Sequence, residues 1–378
     1  MLCQTVRSGR GGSRSPRRLD PETLTSNFLH LNNTQAAILS LLISAAGALI
    51  AKLIGLPIPF LLGSTIAVTA ASLSGIRMHL PDWLRVFVFF TLGIQAGSGV
   101  SPDTINQMVS WPVSFMMLFV ALVLVTGATY LMLRKGFGWD GPTALFSSLP
   151  GALSFVLVAA MGTKANMVKI TVIQCVRLLL LIGFLAPLLA IIAKNAPHVV
   201  VELNYDWTVQ EALVLLICGL AGAVLGHFSR VPGGMMLGAL VASALLHATS
   251  IVTAVVPRSI ADIGLIVLGV LIGSRVGAEH RSQLLRYLPA ALCAFLIGTV
   301  ASFFAAFMVW YWLDIHPAQI ALAFAPGALE ALTVIAFSLG VDPSYVASHH
   351  VVRFLMIAFA VPFLARWLRA DTETGASE

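Results

Sequence analysis

Twelve apolar segments, set apart by short polar breaks, fill almost the whole chain after residue 33. They cover about 35–53, 58–75, 83–98, 110–133, 142–162 and 167–193, then 209–228, 233–256, 260–275, 287–313, 318–340 and 345–367. Segments of this length and apolarity predict helices immersed in lipid or in other helices. The two series of six register against each other. Pro57 and Gly63 recur as Pro232 and Gly238, offset by 175. Leu92-Gly93 and Gly97-Ser98 recur as Leu268-Gly269 and Gly273-Ser274, offset by 176. Asp103 matches Glu279, Arg177 matches Arg353, and Pro187 matches Pro362. An offset held this nearly constant marks an internal duplication.

The fifth segment of each half is interrupted by the two residues least suited to a helix interior: Leu149-Pro150-Gly151-Ala152-Leu153 and Ala325-Pro326-Gly327-Ala328-Leu329. Proline lacks an N–H and clashes with the preceding turn, and glycine loses the most freedom on ordering. Inside a bilayer no water pairs the freed backbone groups, so such a break survives only against protein or a polar cavity. Two breaks at matching positions of two halves point to a transporter-type site.

Composition places the chain in the membrane: 58% of its 378 residues are hydrophobic and 10% charged, with mean hydropathy +0.93. A soluble domain carries about 25% charged residues. Much of the net charge of +6 sits in the first 18 residues, on Arg7, Arg10, Arg14, Arg17 and Arg18. Such a run predicts a cytoplasmic tail rather than nucleic-acid binding. The first apolar run is too long and too late for a secretory signal and reads as a retained span. Cys3, Cys175, Cys218 and Cys293 show no C-x-x-C spacing, so neither a disulfide nor a zinc site is indicated.

Basic residues also decide the expected topology. If the two Pro-Gly segments return to the side they entered from, the loops with Arg77 and Arg85, Arg134 and Lys135, and Lys164 and Lys169 all face the cytoplasm. So do Arg230, Arg275, Arg281, Arg286, Arg366 and Arg369, while the other side receives 99–109 and 314–317, which carry no Lys or Arg, plus Lys52, Lys194 and Arg258. The positive-inside rule therefore prefers ten crossings and two re-entrant segments. The expected fold is an all-α polytopic membrane protein of two inverted repeats, each of five transmembrane helices plus one re-entrant Pro-Gly-broken segment. Residues 1–33 form a basic disordered tail, 34–195 the first membrane repeat, 196–207 a linker, 208–370 the second repeat, and 371–378 a polar tail.

Ionisable groups within spans mark cavities or partners. Arg177 and Arg353 occupy equivalent places, with Gln174 and His350 three residues before them on the same helical face. Two guanidiniums approaching from opposite repeats would suit an anion; alternatively each braces a broken helix through its free carbonyls. Glu330 follows the second break where Ser154 follows the first. It either binds a coupling H+ or Na+ or pairs with Arg353. The candidate solute-binding set is thus Pro150, Gly151, Ser154, Gln174, Arg177, Pro326, Gly327, Glu330, His350 and Arg353, with Ser147, Ser148, Thr333, Gln95 and Ser98 as further polar candidates. No catalytic or metal-ligating group is expected: the nine histidines show no H-x-x-x-H or H-E-x-x-H spacing. Adjacent His349 and His350 point about 100° apart on a helix.

The L-P-x-P-x-L-L-G at 56–63, the L-G-x-x-x-G-S at 92–98 and the Pro-Gly-Ala-Leu break before an arginine-bearing span resemble the bacterial inner-membrane AbrB family, over about residues 35–370. The second half is closer to the pattern, with P-G-A-L-E at 326–330. The resemblance implies an inner-membrane, multi-pass protein carrying this duplication. Family members are described as regulators of gene expression or as ammonia monooxygenases. The residues themselves favour a secondary transporter of a small anionic solute over a membrane sensor or regulator, and either over an enzyme. The partners expected are the lipid bilayer and a small-molecule solute, without direct nucleic-acid binding; a homo-oligomer is compatible.

Overall fold

The computed structural model describes residues 32–56, 58–100, 111–150, 153–161, 163–193, 208–229, 233–277, 281–313, 315–327 and 329–374. Pro57, Asp103, Gly151, Pro232 and Glu279, the basic tail through residue 31 and the linker 196–207 lie outside the described residues. So do the side chains of Ser154 and Glu330.

The first half folds as α1 (Asn33–Leu53), α2 (Pro59–Leu73), α3 (Asp82–Gly97), α4 (Trp111–Leu131), α5 (Gly141–Ser148), α6 (Leu153–Met161), α7 (Met167–Leu180) and α8 (Ala186–Ala193). π-helical turns, Met132–Gly136 and Leu181–Leu185, extend α4 and join α7 to α8. The second half repeats the order: α9 (Val209–Phe228), α10 (Gly234–Ala248), α11 (Arg258–Gly273), α12 (Arg281–Trp312), α13 (Pro317–Phe324), α14 (Leu329–Ser338) and α15 (Pro343–Thr374). Among the described residues no strand occurs. The helix starts follow from sequence: Thr208, Asp140 and Asn166 each cap an amide three residues on, satisfying donors that a helix start leaves free.

Six helical stretches are long and apolar enough to cross a membrane: Asn33–Leu53, Trp111–Gly136, Met167–Leu189, Val209–Phe228, Arg281–Trp312 and Pro343–Val361. Among the described residues these helices are compatible with a multi-pass membrane protein. Four of the expected spans are shorter. Helices α2 and α10 have 15 residues and α3 and α11 have 16, roughly 23 Å at 1.5 Å per residue against a hydrocarbon core of about 30 Å.

These short helices pack by backbone contact. A Cβ added to Gly63 would lie 2.3 Å from the Gly47 carbonyl oxygen, and one on Gly238 would lie 1.9 Å from that of Gly222. Small residues at such crossings are how helices associate where lipid removes the hydrophobic drive between them. The halves interlock here. Gly93 of α3 abuts Met236 of α10, and four residues later Gly97 abuts Leu240. Gly269 of α11 abuts Ser64 of α2, and Gly273 abuts Val68. Contacts that advance together mean that α3 runs parallel to α10, and α11 parallel to α2. Helices α1–α3 and α9–α11 thus form one closely packed frame.

The remaining helices form a second group around the breaks and meet the frame chiefly through α3. Within it α4 and α12 run antiparallel. Trp139, just past the end of α4, packs edge-on against Tyr287 at the start of α12 with ring centroids 5.9 Å apart. Farther along, Gly298 of α12 faces Val125 and Thr129 of α4. The largest buried cluster joins the groups, with Leu61 and Leu92 from the frame and Leu181, Phe324, Leu332 and Tyr345 from the second group.

Candidate functional site

The residue before a proline is pushed out of the α region into extended backbone, and this ends both α5 and α13. Leu149 has φ −66° and ψ 121°, and Ala325 has φ −56° and ψ 132°. Each break frees the last carbonyls of a helix of eight residues in a buried setting, and each must be paired from elsewhere.

The arginine-bearing helix of the same half does this. Arg177 donates through both terminal nitrogens to the Leu149 carbonyl at 3.3 Å. Gln174 donates its amide N–H to Leu149 at 3.0 Å and to Phe146 at 3.4 Å. In the second half Arg353 donates to the Ala325 carbonyl at 2.7 Å, and His350 Nε2 donates to Leu322 at 3.2 Å. The pairs correspond residue for residue. Gln174 Oε1 also accepts from Arg177, as His350 Nδ1 accepts from Arg353. That second bond assigns the His350 proton to Nε2. A glutamine and a neutral histidine thus play one part, each receiving from the guanidinium and donating to the broken helix.

All four side chains are buried, Arg177 at 8% and Arg353 at 4% relative exposure. Among the described residues neither arginine pairs with a carboxylate. Both arginines brace the broken helices through these bonds. The bonds to the broken helices, to Gln174 and to His350 occupy three donors of Arg177 and two of Arg353, out of five on each guanidinium.

Pro150 and Pro326 are buried at the breaks. Gly327 sits where a Cβ would come 2.8 Å from Leu181 Cδ1 and 2.6 Å from Leu332 Cδ1, so the second break rests on the π-turn of the first half. Two hydroxyls on the broken segments, Ser147 Oγ and Thr333 Oγ1, are fully buried and make no hydrogen bond among the described residues. Ser148 instead bonds the Leu145 carbonyl, and Ser98 bonds the Gln95 carbonyl within α3.

His349 turns away from the arginine. Its Nε2 meets Ser114 Oγ at 2.8 Å, and that hydroxyl also bonds the Tyr345 phenol. Sequence reading missed this Ser114–Tyr345–His349 group because Ser114 lies in another helix 231 residues from Tyr345. The receiving carbonyls of Leu149 and Ala325 were missed too, since a backbone acceptor has no residue type. The equal spacing of 28 residues from each arginine to its carbonyl was the available signal.

The comparisons with known proteins agree with this architecture. The family model described as "Transition state regulatory protein AbrB" matches residues 60–369. The chain is 25% identical over 320 residues to "Putative regulator AbrB" of Escherichia coli (strain K12), covering 83% of this chain and 90% of that relative. It is 25% identical over 350 residues to "Uncharacterized protein YhjN" of Bacillus subtilis (strain 168), covering 85% and 90% respectively. With a match over most of its length, the chain belongs to the AbrB family.

Proposed function

We propose that the protein is a secondary transporter of a small anionic solute across the bacterial inner membrane. Its plan is two inverted repeats, each of five transmembrane helices and one re-entrant segment, with the N-terminus cytoplasmic. Counterpart helices α4 and α12 are antiparallel, which supports inversion. Consecutive spans alternate in direction, so the parallel packing of α3 with α10 supports opposite orientations for α2 and its counterpart α10.

Re-entrance rests on where the first broken segment begins and ends. Thr143 Oγ1, in the first turn of α5, accepts from the Asn166 amide at 2.7 Å, just before α7 begins. Helix α5 has eight residues, roughly 12 Å of rise and less than half the hydrocarbon core. Arg177 lies ten residues into its own span, about 15 Å deep, at the level where α5 stops. Single cysteines at Lys164 and Arg281 are expected to react with an impermeant thiol reagent from the cytoplasmic side only. Labelling of either from outside intact cells removes the inverted plan.

One observation carries the transport reading: two buried guanidiniums hold the carbonyls of two corresponding broken helices and have N–H donors left over from those bonds. In a bilayer such discontinuities form solute and ion sites, and planar two-pronged donors suit a carboxylate or similar anion. A shift of the break-bearing group as a body against the glycine-packed frame exposes the site to either side. Glu330, on the first turn of α14, is the proposed carrier of the coupling H+ or Na+.

The test is uptake of labelled small carboxylates by full-length protein in liposomes under imposed H+ or Na+ gradients. Arg177→Lys and Arg353→Lys keep the charge but lose the fork, and each is expected to lower uptake and binding together by about tenfold or more. Glu330→Gln is expected to preserve solute exchange while ending gradient-driven accumulation; equal loss of both, in folded protein, makes Glu330 a structural partner. The family description and the name of the Escherichia coli relative favour a second reading, a membrane regulator of gene expression that senses the solute. Saturable binding with no flux in wild-type liposomes decides for it.

A further inference from the structure

One end of the bundle gathers cations. Arg134 and Lys135 lie in the π-turn that ends α4, Lys164 in the turn after α6, and Lys169 in the first turn of α7. Arg281 and Arg286 stand in the first two turns of α12, which packs against α7 and against that π-turn. Beside these cations Asp140 accepts from the Thr143 amide through Oδ1 at 2.8 Å. Among the described residues no ion pair joins any of these six cations to an acid.

Two aromatic rings order the cluster. Lys169 Nζ stands 4.8 Å from the Trp139 ring centroid and 5.8 Å from that of Tyr287, and the Arg286 guanidinium lies 5.7 Å from the Tyr287 ring. Attraction to ring faces holds flexible cationic side chains in place without consuming their N–H donors. Trp139 is buried in the protein and Tyr287 packs half-buried beside it, so the rings fix these cations against the packed ends of α4, α7 and α12.

The duplication supplies an internal control. At the offset of 176, Trp310, Tyr311, Gly340, Tyr345, Ile105 and Ser110 take the places of Arg134, Lys135, Lys164, Lys169, Arg281 and Arg286. Helix α12 carries Trp310 and Tyr311, and α15 carries Tyr345, at these positions and both form without the cations; Trp111, in place of Tyr287, packs edge-on against Tyr345 instead of against a lysine. The charges are therefore not required by the fold. Orientation in the membrane accounts for their sign, but not for an ammonium held between two rings beside a second ring-bound guanidinium.

We propose that the Lys169–Trp139–Tyr287–Arg286 cluster is a binding site for the phosphate headgroup of an anionic phospholipid, with Arg134 and Lys135 at its edge. Guanidinium and ammonium groups that pair with no acid among the described residues are the donors a phosphodiester recognises, and the two rings hold them in place at this end of the bundle. The site is independent of the Pro-Gly breaks and of what they carry.

The experiment titrates full-length protein in neutral detergent with dihexanoyl phosphatidylglycerol, dihexanoyl phosphatidylcholine or inorganic phosphate, reading thermal melting and lipid retained in native mass spectra. Phosphatidylglycerol is expected to raise the melting temperature by roughly 3 °C, with little shift from the other two probes. The double change Lys169→Gln with Arg286→Gln is expected to weaken its apparent affinity roughly tenfold. Lys169→Arg with Arg286→Lys retains the response, and so does Lys52→Gln, which lies in α1 outside the cluster. If the Gln pair does not fold, the charge-keeping pair compared with Arg134→Gln plus Lys135→Gln reads the same preference. Equal shifts from both lipids, a full response from free phosphate, or neutralised variants that respond like wild type overturn the proposal.

Discussion

The two halves make the same joint from different parts. At the first break Arg177 and Gln174 hold the carbonyls of Leu149 and Phe146; at the second, Arg353 and His350 hold those of Ala325 and Leu322. The guanidinium is common to both, as is the 28-residue reach from each helper to its carbonyl. What differs is the helper, glutamine or histidine, and the residue after the break, Ser154 or Glu330. What the halves share follows from the physics of a broken helix in lipid, where every freed carbonyl needs a donor. What they do not share is where asymmetric function has room to reside. Glu330 and the cluster around Lys169 are such places.

Three changes test this division, beginning with the most damaging. In the frame, Gly63→Val and Gly238→Val drive side-chain atoms into backbone carbonyls in both halves, so neither variant is expected to yield folded protein on size-exclusion chromatography. Gly183→Ala, with open space around it, is expected to change stability by no more than about 1 kcal/mol, because alanine only improves helix propensity there. Recovery of folded Gly238→Val with an unchanged melting curve would show that the interlock is looser than its contacts.

At the joints, Arg177→Ala and Arg353→Ala each remove charged hydrogen bonds from a buried carbonyl, at a cost of roughly 1.5–3 kcal/mol. Equal costs are expected, because Leu149 keeps the Gln174 donor and Ala325 keeps the Gly327 amide at 2.8 Å. A large drop in melting temperature for only one of them would mean that the halves are not mechanically equivalent. Smallest of all is the exchange of helpers. Gln174→His and His350→Gln each supply one acceptor and one donor, so stability should move by less than about 1 kcal/mol. A larger loss in melting experiments for His350→Gln alone would assign the imidazole a part beyond bracing.

Much of this was legible without coordinates. The apolar runs fall on the helices to within a few residues, since a segment apolar on every side has no stable place outside lipid or other helices. The 176-residue offset, the two Pro-Gly breaks and the paired arginines are properties of the chain alone, and proline chemistry fixes where α5 and α13 stop. The sequence also left two roles open for the arginines, anion clamp and helix brace. The tertiary structure supplied the bracing bonds, because only packing decides which carbonyl a side chain 28 residues away can reach. It alone placed α3 beside α10 and α2 beside α11, since glycine marks a close approach but not its partner. It alone turned His349 toward Ser114 while His350 faced Arg353: neighbours on a helix point in different directions, and what each meets is supplied by helices far away in sequence.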